Sequence, residues 1–160
     1  MTETYRNRKG FIVPLSFLIA FVLTLLPMPT WAVWLRPAWV LMVLVYWTIA
    51  MPERVNVGIA FITGIFLDVL EDTLLGEHAL ALIIVVYLVS RTYTQLRMFP
   101  LIQQGITLFF LVLLYQLILF CIQGFLGALP TSWLYWSCSL TSMLLWPWMC
   151  SMLRIRTYVD

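Results

Sequence analysis

Charge is scarce in this chain. Only 10% of its 160 residues are Asp, Glu, Lys or Arg, where an ordinary soluble domain carries about 25%. Hydrophobic residues make up 63% and the mean hydropathy is +0.99, so a soluble globular domain is excluded and a bilayer is implied. Histidine is scarcer still. His78 has no second histidine to join it, there is no H-E-x-x-H, and Cys121, Cys138 and Cys150 fall inside apolar blocks without metal spacing, so no metal site is expected. The cysteines read as packing or lipid-facing thiols. Also missing are a G-x-S-x-G elbow, a phosphate loop and a dinucleotide fingerprint, which leaves catalysis and cofactors without a motif. The net charge of +2 fits loops facing anionic lipid and is no nucleic-acid signal. No internal repeat appears, and no matched pair of Gly/Pro-broken helices marks an inverted-repeat transporter.

What is present is a series of apolar blocks. They predict an all-α polytopic membrane protein, one integral membrane domain over 1–160, with helices at about 11–26, 35–51, 55–70, 77–93, 101–125 and 132–153. A helix rises about 1.5 Å per residue and needs about 20 residues to cross. The second and fourth blocks are short by strict apolarity and must borrow their flanks. Counting six crossings puts Arg6, Arg8, Lys9, Arg54, Arg91, Arg97, Arg154 and Arg156 on one side and Arg36 alone on the other. The positive-inside rule then places both termini in the cytoplasm. The basic start resembles a secretory signal, but the apolar run is long and Thr30-Trp31-Ala32 is a poor cleavage site, so the first helix reads as uncleaved.

Prolines sit where a missing N–H costs little: Pro27 and Pro29 after the first helix, Pro37 at the second, Pro52 between second and third, Pro100 before the fifth and Pro130 before the sixth. Pro147 lies inside the last helix and predicts a kink. Tryptophans 31, 34, 39, 47, 133, 136, 146 and 148 gather toward block ends, as interfacial belts do.

The third helix concentrates the unusual residues. Asn56, Ala60, Thr63, Gly64 and Leu67 share one face at 100° per residue, with Gly58 nearby. Ala60 and Gly64 form a small-xxx-small step that invites close packing, with Asn56 and Thr63 expected to hydrogen-bond across it. Asp68 is a carboxylate embedded in an apolar block, costly and therefore a functional candidate. If the second and third helices form a tight antiparallel hairpin, its mate at equal depth is Arg36, and a pair between them, directly or through water, is expected. The next outer loop gathers Glu71, Asp72, Gly76, Glu77 and His78, read as a solvated loop and helix cap.

Several stretches together resemble a known family. They are Arg36-Pro37-Ala38-Trp39-Val40-Leu41, Tyr46-Trp47, Pro52-Glu53-Arg54-Val55-Asn56-Val57-Gly58, Gly64 to Leu70, Leu75-Gly76-Glu77-His78-Ala79-Leu80 and Leu145-Trp146-Pro147-Trp148. They look like the bacterial rod-shape-determining MreD family in its proteobacterial form. The resemblance implies a non-enzymatic inner-membrane subunit of the peptidoglycan elongation machinery. It would act beside the bitopic MreC, the actin-like MreB, a RodA-type glycosyltransferase and a class B penicillin-binding protein. It also implies a fold similar to the six-helix substrate-binding subunits of energy-coupling-factor transporters. Arg36, Pro37, Asn56, Gly58, Gly64, Asp68, Gly76 and His78 carry over as motif members without a catalytic assignment. Two functions follow. One is a scaffold, with Ala60, Thr63 and the other small or polar residues meeting a partner. The alternative is a small-molecule or lipid-precursor binding subunit, with Arg36, Asp68 and His78 lining an outward pocket.

Overall fold

The computed structural model of the protein describes residues 2–127 and 132–158, with side chains described over 11–127 and 132–153. Pro130 and the side chains of Arg6, Arg8, Lys9, Arg154 and Arg156 lie outside the described residues. Six α-helices and no strand are found among the described residues: α1 (Thr2–Leu25), α2 (Trp39–Ala50), α3 (Val57–Glu71), α4 (Glu77–Met98), α5 (Leu101–Phe125) and α6 (Ser137–Tyr158). Short 3-10 turns at Val33–Leu35 and Trp133–Trp136 precede α2 and α6. By length and composition, three segments suffice to cross a membrane, Val33–Ala50, Glu77–Met98 and Leu101–Phe125, and Phe11–Leu25 is a shorter apolar helix.

Pro37 sets the start of α2. A residue before proline is pushed out of the helical region, and Arg36 is extended at φ −66°, ψ 119°, so the helix begins at Trp39 rather than near residue 35. That leaves 12 residues, about 18 Å of helix, against a hydrocarbon core of about 30 Å. Its placement resolves the shortfall. The helix is buried along Val40, Leu41, Met42, Val43, Leu44, Val45, Trp47 and Thr48, enclosed by α1, α4 and α6, so its ends face protein. Trp47 Nε1 donates to Ser16 Oγ of α1 at 2.7 Å, satisfying an indole that would otherwise be a buried unpaired donor. Helix α6 likewise begins at Ser137 and runs on through Pro147, and α1 runs through Pro14.

The third helix packs chiefly on α4, and the contact between α2 and α3 is slight. The expected tight α2–α3 hairpin is therefore replaced by an α3–α4 pair. Gly64 explains the preference: a Cβ there would stand 2.2 Å from Ala79 Cα, so only hydrogen lets the two backbones approach this far. Ala60 is buried on the same face. Thr63 and Asn56 do not bridge that contact. Thr63 Oγ1 donates to Ile59 O in its own helix at 2.6 Å. Asn56 caps α3, accepting from Gly58 N–H at 3.0 Å, because asparagine at the N-cap supplies an oxygen to an orphan amide.

One end of the bundle gathers the connections α1–α2, α3–α4 and α5–α6. Ser137 Oγ donates to Trp34 O at 2.6 Å, and Ser142 Oγ accepts from Ala38 N–H at 3.1 Å, strapping the first connection to α6. At the opposite end, where α1 begins and α6 ends, Arg97 Nη2 donates to Ala50 O at 3.2 Å. Gln104 Nε2 donates there to Leu96 O at 2.9 Å and Phe99 O at 3.2 Å.

Candidate functional site

Asp68 ends α3 fully buried, and its carboxylate is answered by the start of α4. Oδ2 accepts from Gly76 N–H at 2.7 Å. Oδ1 accepts from His78 N–H at 2.8 Å, lies 2.8 Å from His78 Nδ1, and takes a further contact from Thr73 Oγ1 at 3.3 Å. Gly76 caps α4 without a side chain of its own, so the α3 carboxylate does the capping from outside, beside the positive end of the α4 dipole. The tight return between the helices needs left-handed backbone at Asp72 (φ 52°) and Gly76 (φ 102°), and glycine adopts that region without strain. Nothing lies within 4 Å of a Cβ placed on Gly76, so conformation rather than space selects it.

These contacts overturn the direct Arg36–Asp68 pair. The carboxylate is committed to His78, Gly76 and Thr73, and no ion pair joins it to Arg36 among the described residues. The depth count assumed α2 against α3, whereas α3 lies against α4. His78 in turn is 5% exposed, with Nε2 3.4 Å from Glu71 Oε2 and its ring 6.1 Å from that of Tyr115. The histidine thus links the turn to the wall of a cavity. The preceding residue, Glu77, is also buried, and it accepts from Gln123 Nε2 of α5 at 2.7 Å.

The cavity, of about 270 Å³, opens at the end of the bundle where these connections meet. Arg36, Trp39, His78, Glu71, Gln116 and Tyr135 are among its walls. Gln116 Nε2 donates to Tyr135 O at 2.6 Å and Tyr135 Oη donates to Gln116 O at 3.3 Å, fixing the 3-10 turn before α6 against α5. Three other polar atoms of the wall residues have no partner within the protein: Arg36 Nε, Trp39 Nε1 and Gln116 Oε1. Buried polar groups are almost always paired, and leaving one unpaired costs about 1–3 kcal/mol. All three residues line this cavity, and Trp39 also borders a second hollow between α1, α2 and α6.

Of the residues singled out from sequence, Arg36, Pro37, Asp68, Gly76 and His78 come together at or beside this cavity. Gly58, Ala60, Thr63 and Gly64 do not, since they serve the α3 cap and the α3–α4 contact. Pro52 follows α2 at the other end of the bundle. Sequence reasoning missed Trp39, Tyr135 and Gln116 as cavity residues. Gln116 was detectable in principle, being a lone polar residue in mid-block, but its depth alone does not tell that its amide faces α6. Among the described residues no group of three His, Cys, Asp or Glu is placed to hold a metal ion.

Comparison with known proteins gives two matches. The family described as rod shape-determining protein MreD matches residues 5–156. The rod shape-determining protein MreD of Haemophilus influenzae is 35% identical over 149 residues, covering 91% of this chain and 90% of that relative. No solved structure matches.

Proposed function

The chain belongs to the MreD family of rod shape-determining proteins, and from that premise we propose that it is a membrane scaffold whose outward cavity receives a segment of a partner protein. The observation that carries this reading is a cavity lined by Arg36, Trp39 and Gln116, each of which holds a buried polar atom with no partner in the protein. A polypeptide segment offers a carbonyl acceptor and an amide donor at every residue, so one short stretch can answer all three. Aromatic walls at Trp39, Tyr115 and Tyr135 suit its side chains. Satisfying three buried groups at about 1–3 kcal/mol each is enough to hold a partner already concentrated by the membrane.

The partner in this reading is an MreC-like bitopic protein, joined in the same complex by MreB, a RodA-type glycosyltransferase and a class B penicillin-binding protein. The subunit does no chemistry itself; it positions enzymes of peptidoglycan elongation at the inner membrane. The same reading takes the protein as one integral membrane domain of six spans, with both termini in the cytoplasm and the cavity facing out. That plan is similar to the substrate-binding subunits of energy-coupling-factor transporters. The transporter-like alternative, a small-molecule or lipid-precursor subunit, is served less well by the same space. About 270 Å³ falls below the ~300–1,000 Å³ usual for ligand pockets.

Co-purification from mild detergent with the MreC-like partner tests the scaffold. Retention by the wild type and loss on Arg36→Met with Gln116→Leu is the expected result, with rounding of rod-shaped cells that carry only the variant. Undiminished retention by the double variant would remove the cavity from the interface. A small metabolite that purifies with the protein and blocks partner capture would favour the alternative.

A further inference from the structure

A second hollow lies on the flank of the bundle, between α1, α2 and α6; it shares Trp39 with the first but is otherwise more apolar. It holds about 180 Å³ and is walled by apolar side chains, among them Ile12, Ile19 and Leu23 of α1 and Trp148, Met152 and Leu153 of α6. The groove exists because α1 and α6 each pack on α2 but scarcely on each other. Its one hydroxyl, Ser16, is already engaged, donating to Val13 O at 2.7 Å and accepting from Trp47 Nε1 at 2.7 Å, so the groove presents no hydroxyl demand along its floor.

We propose that this groove, with the basic residues that flank it in sequence on both helices, is a binding site for one anionic phospholipid of the leaflet at the terminal end of the bundle. Length is the first argument. From Ile12 to Leu23 the α1 wall rises by 11 steps along the helix, about 16 Å at 1.5 Å per residue, which is about half of a ~30 Å hydrocarbon core and so the depth of one leaflet. Charge is the second. Arg6, Arg8 and Lys9 lie on α1 in the turns just before Ile12, and Arg154 and Arg156 lie on α6 directly after Leu153. The acidic residues on the corresponding terminal stretches are Glu3 and Asp160. The sequences of both helices that wall the apolar groove thus turn basic just beyond it, and clusters of Lys and Arg next to a membrane helix favour anionic lipid. Trp148, 53% exposed, adds an aromatic flank of the kind that favours the membrane interface.

Delipidated protein in detergent, titrated with phosphatidylglycerol or with phosphatidylcholine of the same chains and read by native mass spectrometry, tests the site. The wild type should retain phosphatidylglycerol at least about fivefold better, since each basic residue near an anionic surface contributes about a factor of five. Arg154→Gln with Arg156→Gln should lose most of that preference. Met152→Trp, at a position 54% exposed where bulk is tolerated, should reduce retention of both lipids without lowering the unfolding temperature of the lipid-free protein. Equal retention of the two lipids by the wild type would overturn the proposal. So would a phosphatidylglycerol preference that survives in both variants, because the lipid would then sit elsewhere. A photo-cross-linker at Ile19 that traps a protein segment instead of lipid in native membranes would assign the groove to a partner helix and also overturn it.

Discussion

Asp68 Oδ1 meets both the backbone amide and the ring Nδ1 of His78 at 2.8 Å, so a single carboxylate fixes the start of one helix and the ring of a cavity residue together. The relationship ties the turn between α3 and α4 to the shape of the cavity. Its carboxylate is fully buried, and each of its oxygens accepts a backbone amide as well. The contact is therefore a joint that holds the wall in place.

Removing the carboxylate should be costly. Asp68→Ala leaves the amides of Gly76 and His78 unpaired, at about 1–3 kcal/mol each, so a loss of about 3 kcal/mol is expected by thermal or denaturant unfolding in detergent. Asp68→Asn keeps one acceptor but sets an NH2 against the other backbone amide, so it should lose at least about half of that. The charge swap Arg36→Asp with Asp68→Arg should not restore stability or shape function, because the two side chains do not pair. Recovery in the swap would contradict the geometry.

Gly64 carries the second prediction. A Cβ 2.2 Å from Ala79 Cα cannot be relieved by rotating a side chain, so Gly64→Ala must push α3 off α4. Overpacking of this kind costs about 1–3 kcal/mol or more. Ala79→Gly removes a second close atom but leaves the backbone in the way, so the double variant should recover only part of the loss. The unfolding temperatures of the three variants decide it.

Arg36 should separate stability from binding. Its Nε has no partner in the protein and no ion pair involves it among the described residues, so Arg36→Met should change the stability of the isolated protein by less than about 1 kcal/mol. Capture of the MreC-like partner should fall by about tenfold, the effect of one lost charge-assisted hydrogen bond. A large loss of stability with unchanged capture would reverse the assignment of the cavity.

The orientation is tested by reporters. Alkaline phosphatase fused after Tyr158 should be inactive, and the same enzyme inserted between Leu74 and Leu75 should be active, because that turn borders the outward cavity in the proposed topology. Activity at the C-terminus and none at the turn would invert the protein in the membrane and move the cavity to the cytoplasm.

The helical, membrane-spanning character of the chain was legible without coordinates because it depends on local sums: a run of apolar residues of sufficient length, broken by charge and proline. Pro37 shows the boundary of that method. A proline at the head of the second block was visible, yet the helix starts two residues beyond it because Arg36 and Ala38 join an irregular strap that Ser142 and Ser137 hold to α6. The same holds for Asn56, whose place at a helix start suggested contact across helices, whereas its nearest unsatisfied amide was Gly58 in its own chain.

The sequence by itself determined where the chain leaves water, which residues are too polar for the depth they occupy, and the family to which those residues point. Which of the polar residues meet was decided by the tertiary structure. Depth in a membrane follows from position along a helix, but pairing also needs the rotation of each helix and the identity of its neighbour, and these come from packing. Gly64 against Ala79 brings α3 to α4 and not to α2, so Asp68 finds His78, and Arg36 is left on the wall of a cavity with Gln116.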